Sequence, residues 1–187
     1  FKEKAGKYID FLNANAYDKE RDVRTNIAGE FQKSNLAAAL QTAELICGRL
    51  DEDKIYEALS QIRISGRMEE IAPGIIVDVS HNIQGMQGFV QTVEANYHGM
   101  KKRILFAASH QNEEEYMKNI LKTIPEIEAF YTVGIHKRRI NEAEFQDAFR
   151  KMIDRNQETT VCFVVGSFYL AGMAKEFINQ EEENVRL

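Results

Sequence analysis

The stretch Ile75-Ile76-Val77-Asp78-Val79-Ser80-His81-Asn82 joins a run of β-branched apolar residues to a cluster of polar ones. Three more apolar runs occur further along the chain: 104–108, 129–133 and 161–165. These runs do not alternate between apolar and polar residues, which is typical of strands buried on both faces of a parallel sheet. A segment with helical character follows each of the four runs: 84–96, 113–123, 141–154 and 168–179. The alternation predicts an α/β domain with a doubly wound, mostly parallel sheet and flanking helices.

The first third of the chain has a different, helical pattern. Ser34 precedes a run of strong helix formers and is the predicted N-cap of a helix that ends near Cys47; a second helix follows it. We therefore expect two parts, a helical segment over 1–65 and a complete α/β domain over 66–187. Because the sequence begins in charged helical residues without an initiating Met, we expect the first part to be the end of a preceding domain.

The composition limits the kinds of partner. The 187 residues include 24 Lys and Arg against 29 Asp and Glu, a net charge of −5, which argues against a broad nucleic-acid-binding surface. No apolar run approaches the roughly 20 residues of a membrane span, so no membrane partner is predicted. Cys47 and Cys162 stand far apart in apolar stretches, and we expect two buried free thiols in a reducing, cytoplasmic compartment.

The polar residues after the first strand are candidates for ligand binding, because open α/β sheets bind ligands at the carboxyl ends of their strands. The Asp78 carboxylate is a suitable acceptor for both hydroxyls of a ribose, and the helix N-terminus that follows suits an anion. The alternative is structural: Ser80 or Asn82 merely caps the next helix.

Two further positions suggest an anionic ligand. Arg67, at the junction of the two parts, can hold a phosphate through two parallel hydrogen bonds, or it can simply pair with Glu69 or Glu70 on the surface. Ser167, after the last strand, can donate to an anionic group or cap the terminal helix. The sequence has neither a Walker-type phosphate loop nor a Gly-x-Gly-x-x-Gly motif. The residues alone thus predict an α/β domain with a nucleotide or anion site.

Four motifs carry a family resemblance: Gly29-Glu30-Phe31-Gln32-Lys33-Ser34-Asn35, Gly66-Arg67-Met68-Glu69, Asp78-Val79-Ser80-His81-Asn82 and Gly166-Ser167-Phe168-Tyr169-Leu170-Ala171-Gly172. In order and spacing they resemble the C-terminal portion of folylpolyglutamate synthase, or the related dihydrofolate synthase, in the Mur ligase superfamily. The resemblance covers nearly the whole chain. It implies a Rossmann-like C-terminal domain preceded by the helical end of an ATPase domain.

The resemblance also implies a reaction. In the family an N-terminal ATPase domain with a phosphate loop and magnesium ligands closes over the C-terminal domain. ATP phosphorylates a folate carboxylate, and the amine of L-glutamate attacks the acyl phosphate to give an amide, ADP and phosphate. The implied partners are ATP, folate, L-glutamate and the N-terminal ATPase domain, with Mg²⁺ bound by that domain and no metal ligand in this chain. The chain by itself is expected to be inactive.

The motifs assign roles by position. Asn35 matches the asparagine that contacts the adenine end of ATP, and Asp78 matches the aspartate that holds the ribose. Arg67 matches the arginine that reaches the phosphates, and His81 matches the histidine near the phosphates and the incoming glutamate; these two are the implied catalytic residues. Ser167 matches a serine near the glutamate site.

Some positions differ from the family pattern. Val79, Ser80 and Ile83 stand where the family has glycine, alanine and proline. Two alternatives therefore stay open. One is a Mur-type cell-wall amino-acid ligase, for which the basic segment His136-Lys137-Arg138-Arg139 would suit an anionic substrate. The other is a non-catalytic nucleotide-binding module that kept the fold.

Overall fold

The computed structural model describes residues 30–48, 50–62, 64–136, 139–153 and 159–185. The chain divides into two compact units, Phe1–Arg63 and Ile64–Leu187. The part of the predicted helical segment over residues 1–29 lies outside the described residues.

Two helices are described in the first unit, α1 (Glu30–Cys47) and α2 (Glu52–Gln61). Asp51 caps α2, because its Oδ1 accepts hydrogen bonds from the backbone amides of the second and third helical residues at 3.1 and 3.4 Å. Leu40 and Leu59 are buried together in a small apolar cluster. Helices occupy both segments in which the sequence predicts them.

Two predictions for this unit are wrong in detail. Ser34 does not cap α1 but lies inside it, because the preceding Glu, Gln and Lys are themselves good helix formers and extend the helix toward the N-terminus. Cys47 is exposed and not buried, since it belongs to the last turn of α1, where Leu45 and Ile46 are also exposed.

The elements of the second unit are β1 (Glu69–Ala72), β2 (Ile75–Asp78), α3 (Ile83–Asn96), β3 (Lys101–Phe106), α4 (Glu114–Leu121), β4 (Ile127–Thr132), β5 (Ile135–His136), β6 (Arg139–Ile140), α5 (Glu142–Ile153), β7 (Thr160–Val165) and α6 (Phe168–Val185). Five of the strands form a sheet in the order β1-β2-β7-β3-β4. Strands β2, β7, β3 and β4 run parallel, and β1 pairs antiparallel with β2. The small pair β5-β6 is separate from this sheet.

The helices cover both faces of the sheet, as the alternating pattern predicts. On one face α3 and α4 bury Met86, Phe89 and Met117 against the sheet. On the other face α5 and α6 bury Phe149 and Leu170. Every residue of β2 and β7 is buried, whereas β4 at the edge is only half-buried. The predicted α/β fold, with a mostly parallel sheet, is confirmed.

Two features of this unit differ from the prediction. Strand β1 is an edge strand that the sequence pattern does not predict, because its Glu-Glu-Ile-Ala sequence is not an apolar run. It pairs with β2 through a turn at Gly74, whose φ is +72° and whose amide donates to Glu70 Oε1 at 2.9 Å. Helix α6 continues to Val185, beyond the predicted end at residue 179. The glutamates at 181–183 favour the helical conformation, and Glu181 pairs with Arg150 on α5 at 3.4 Å.

Candidate functional site at the strand ends

The carboxyl ends of β2 and β7 lie side by side at the centre of the sheet. The Gly166 amide, just after β7, donates to the carbonyl of Asp78 at 3.3 Å. The helices that follow these two strands, α3 and α6, pack on opposite faces of the sheet. Where the helices that follow two neighbouring strands leave toward opposite faces of the sheet, a crevice opens between them, and α/β sheets bind ligands in this crevice. The strand ends of β2 and β7 therefore form the candidate site.

Asp78 lies at the centre of this site and is almost completely buried, with 2% of its surface exposed. Its Oδ1 accepts hydrogen bonds from the Ser80 amide at 2.9 Å and the Ser80 hydroxyl at 2.5 Å. Its Oδ2 accepts from the Met68 amide at 3.0 Å. A buried carboxylate requires such partners. Both of its oxygens are thus bonded within the chain before any ligand arrives.

Arg67 is presented beside this carboxylate by a tight loop. Gly66 and Met68 on either side of it have positive φ angles of +73° and +44°. A Cβ on Gly66 would lie 2.7 Å from a methyl group of Val79, so this position requires glycine. The guanidinium nitrogen Nη1 of Arg67 lies 4.0 Å from Asp78 Oδ1, and 28% of the Arg67 side chain is exposed. The loop therefore places a partly accessible positive charge at the end of β2.

His81 connects the end of β2 with the start of α6. Its Nδ1 lies 2.9 Å from the carbonyl oxygen of Val79. Because a carbonyl only accepts hydrogen bonds, Nδ1 carries the proton in this contact and Nε2 is the nitrogen available to a ligand. The His81 ring lies 5.4 Å from the ring of Phe168, measured between centroids, and Phe168 is exposed. An imidazole and an aromatic ring thus bridge the crevice.

Ser167 and Asn82 have capping contacts, as the structural alternative predicts. The Ser167 hydroxyl oxygen is buried at the start of α6 and accepts from the Tyr169 amide at 3.1 Å. Asn82 caps α3, with its Oδ1 accepting from the Gly85 amide at 2.7 Å.

The remaining predicted residues lie elsewhere in the chain. Asn35 belongs to the first unit, where it is exposed on α1 and its Nδ2 donates to Gln32 Oε1 at 3.0 Å. In the basic segment, Lys137 and Arg138 lie outside the described residues, while Arg139 is exposed in β6. Of the predicted site residues, the second unit brings Arg67, Asp78 and His81 together at the end of β2, with Ser167 beside them at the end of β7.

Two charged residues near the site have contacts that the sequence does not predict: Glu69, expected only as a motif residue or as a surface partner of Arg67, and Lys175. Glu69 Oε2 accepts the Gly66 amide at 2.5 Å and the Lys175 ammonium at 2.6 Å. Lys175 also donates to the Ser65 hydroxyl at 2.6 Å. Burial alone raises the pKa of Glu69. The hydrogen bonds from Lys175 and the Gly66 amide, together with the charge of Lys175, outweigh this effect, so the pKa of Glu69 is lowered overall. Lys175 is 106 positions from Glu69, so only the fold brings them together.

The groups at the strand ends suit an anion better than a metal cation. Within the described ranges, no group of three or more His, Cys, Asp and Glu side chains is arranged to hold a metal ion. The strand ends offer instead a guanidinium, an imidazole nitrogen and backbone amides near a helix N-terminus. The groove lined by Glu142, Phe145 and Met173 lies between α5 and α6 and contains none of these groups. Among the described helices, none has the length and apolarity needed to cross a membrane.

Comparison with known proteins agrees with the motifs. No family model matches the chain. The dihydrofolate synthase/folylpolyglutamate synthase of Bacillus subtilis (strain 168) is 23% identical over 109 residues, which are 55% of this chain and 25% of that protein. A structure described as an FPGS-AMPPCP-folate complex has a TM-score of 0.65 at 20% identity, covering 82% of this chain and 38% of that one. Escherichia coli FolC in complex with DHPP and ADP has a TM-score of 0.67 at 18% identity, covering 80% of this chain and 39% of that one.

The chain spans about a quarter of the curated relative and about two fifths of each solved structure. The solved structures show the shared fold, and the Bacillus subtilis protein adds the likeness in sequence. In sequence and in fold, the chain is similar to the C-terminal region of the dihydrofolate synthase/folylpolyglutamate synthase family, as its four motifs predict.

Proposed function

We propose that this chain is the C-terminal part of an ATP-dependent ligase that adds L-glutamate to folate through an acyl phosphate, with or without dihydrofolate synthase activity. Residues 1–65 are then the helical end of the ATPase domain and residues 66–187 the C-terminal domain, and the reaction takes place in the cytoplasm. The likeness to proteins solved with AMPPCP, folate and ADP supports this choice of substrates. The observation that carries the proposal is the Arg67 guanidinium beside the strand-end carboxylate.

In this proposal Arg67 is the group that contacts phosphate. A guanidinium forms charge-assisted hydrogen bonds to phosphate oxygens and stabilises the negative charge that shifts between them during transfer. Its partial exposure leaves it accessible to an anion. Asp78 supports the nucleotide site from its buried position beside Arg67. Asn35 keeps the role that the resemblance implies, a contact with the adenine end of ATP.

His81 and Ser167 are placed toward the glutamate. The contact of Nδ1 with the Val79 carbonyl orients the His81 ring and supports Nε2 as the nitrogen that would contact the substrates. Ser167 lies at the start of α6, where backbone amides suit a carboxylate of the incoming amino acid. Together these residues orient the amine and the activated carboxylate toward each other, which lowers the entropic part of the barrier.

The phosphate loop and the magnesium ligands are expected outside this chain, so the chain alone should not catalyse the reaction. When bound there, Mg²⁺ would neutralise charge on the transferred phosphoryl group. The test is an assay of the complete protein with ATP, Mg²⁺, L-glutamate and either dihydropteroate or tetrahydrofolate. Mass spectrometry should detect a product heavier by one glutamyl residue. No product with either folate, but product with a muramyl precursor, would instead establish the cell-wall ligase alternative.

One observation favours a second function, that of a non-catalytic nucleotide-binding module. The Ser80 hydroxyl already donates to Asp78 Oδ1, whereas the family motif has at this position an alanine, which carries no hydroxyl. A ribose must displace that hydroxyl to bond Oδ1. This alternative predicts ADP binding by the complete protein without formation of any glutamyl product.

A further inference from the structure

The loop that presents Arg67 is fastened through its backbone. The Gly66 carbonyl accepts the Val79 amide at 2.8 Å, and the Arg67 amide donates to the Ile64 carbonyl at 3.2 Å. The Met68 amide donates to the buried carboxylate at the end of β2. The positive φ of Met68 is unfavourable for a non-glycine residue, so contacts from outside must keep the loop in this conformation.

Glu69 supplies a further contact, to the amide of Gly66 at 2.5 Å. The carboxylate cannot swing away easily, because Lys175 on α6 holds the same oxygen at 2.6 Å and also bonds Ser65. The side chains of Glu69 and Lys175 are each about one third exposed. The pair therefore joins the base of the Arg67 loop to a helix on one face of the sheet.

We propose that Glu69 is a positioning residue for Arg67: held by Lys175, it fixes the Gly66 amide and thereby the conformation in which the loop presents the guanidinium to phosphate. The inference rests on the proposed function, in which Arg67 contacts the nucleotide phosphates. Glu69 itself touches no substrate. Its effect on binding passes through the loop, and it should vanish when Arg67 is absent.

Whether anion binding becomes weaker or stronger when the Glu69 carboxylate is removed distinguishes a positioning role from a purely electrostatic one. Removal of a carboxylate near an anion site strengthens anion binding if charge alone matters, because one repulsive charge is lost. Positioning predicts the opposite, since a released loop spends less time in the binding conformation. Glu70 is a matched control: it is the next residue of β1, carries the same charge, and likewise accepts a backbone amide, that of Gly74, but at the opposite end of the strand.

The experiment measures the dissociation constant of ADP by calorimetry with the complete protein. Arg67→Ala should weaken ADP binding about tenfold, and Glu69→Ala at least fivefold. The double variant should bind within twofold of Arg67→Ala alone. Glu70→Ala should bind within twofold of the wild type or more tightly. Glu69→Gln, which keeps an oxygen for the Gly66 amide but loses the charge, should fall between the wild type and Glu69→Ala.

Several results would overturn the inference. One is unchanged or tighter ADP binding by Glu69→Ala; another is a double variant whose loss equals the product of the single losses. Thermal melting checks each variant, and if Glu69→Ala fails to fold, Glu69→Gln decides, with unchanged or tighter binding counting against positioning. No effect of Arg67→Ala, with product still formed by the wild type, would remove the phosphate role of Arg67 and the inference together, while the ligase function stands. A wild-type protein without ADP binding or product would refute the proposed function itself.

Discussion

Gly166→Ala should destabilise the strand-end site strongly, because the structure leaves no room for a side chain there. The φ of Gly166 is +107°, a conformation that costs a non-glycine residue about 1–3 kcal/mol. The added Cβ would lie 2.5 Å from the carbonyl oxygen of Ala107 and 2.6 Å from the ring of Phe106, which is fully buried. Overpacking of this kind costs about another 1–3 kcal/mol. The free energy of unfolding should therefore fall by roughly 2–6 kcal/mol.

The matched control is Gly172→Ala on α6. This glycine is exposed, and apart from its chain neighbours and the surrounding helix backbone no atom lies within 4 Å of the Cβ that would be added. Alanine favours the helix interior by about 0.8–1.0 kcal/mol over glycine, so this variant should be slightly more stable than the wild type. Urea unfolding of the chain, followed by far-ultraviolet circular dichroism, measures both variants. A loss below about 1 kcal/mol for Gly166→Ala would refute the claim that the close approach of backbone requires glycine.

Three further predictions concern the polar network and a thiol. Because the pKa of Glu69 is lowered, its pair with Lys175 stabilises the fold above pH 4.5, and this stabilisation is lost as the pH falls through the pKa of the folded state. The difference in unfolding free energy between wild type and Glu69→Gln should therefore shrink in acid. A difference that does not change with pH would contradict this prediction. Ser80→Ala leaves a buried carboxylate with one donor fewer and should cost about 1–3 kcal/mol in urea unfolding; a neutral result would mean that the hydroxyl is not needed. Burial raises the pKa of the Cys162 thiol to about 11. Iodoacetamide at mildly alkaline pH should therefore modify the exposed Cys47 and leave Cys162 unmodified in the native chain. Equal modification of both thiols would show that Cys162 in β7 is accessible to the reagent.

The sequence predicts the central strands well because burial on both faces leaves continuous apolar runs. It does not predict β1, because Glu69 and Glu70 interrupt any apolar pattern and the strand depends on a turn at Gly74 and on pairing with β2. The order of the strands is also absent from the sequence. Strand β7, the last in the chain, inserts between β2 and β3, and only contacts between distant residues determine that position.

The candidate site also has features that the sequence predicts and features that it does not. Asp78 and His81 are predictable, because polar residues at the end of a buried strand are conspicuous in an α/β pattern. The three hydrogen bonds that the Asp78 carboxylate accepts within the chain are not predictable, since they depend on the orientation of the Ser80 hydroxyl and on the positive φ of Met68. The pair of Glu69 with Lys175 cannot be predicted from the sequence either, because the two residues lie more than a hundred positions apart and only the fold brings them together.

The phosphate contact of Arg67 is tested most sharply by the turnover of the complete protein carrying Arg67→Ala, compared with the wild type at saturating folate and L-glutamate. A charge-assisted contact to phosphate contributes about 1.5–3 kcal/mol, so kcat/KM for ATP should fall at least tenfold. Arg150→Ala, which removes an exposed arginine paired with Glu181 on the helical face, should leave turnover unchanged. If Arg67 contacts phosphate, a tenfold or greater loss should be confined to Arg67→Ala. Equal turnover of the two variants, or no glutamyl product from the wild type, would contradict it.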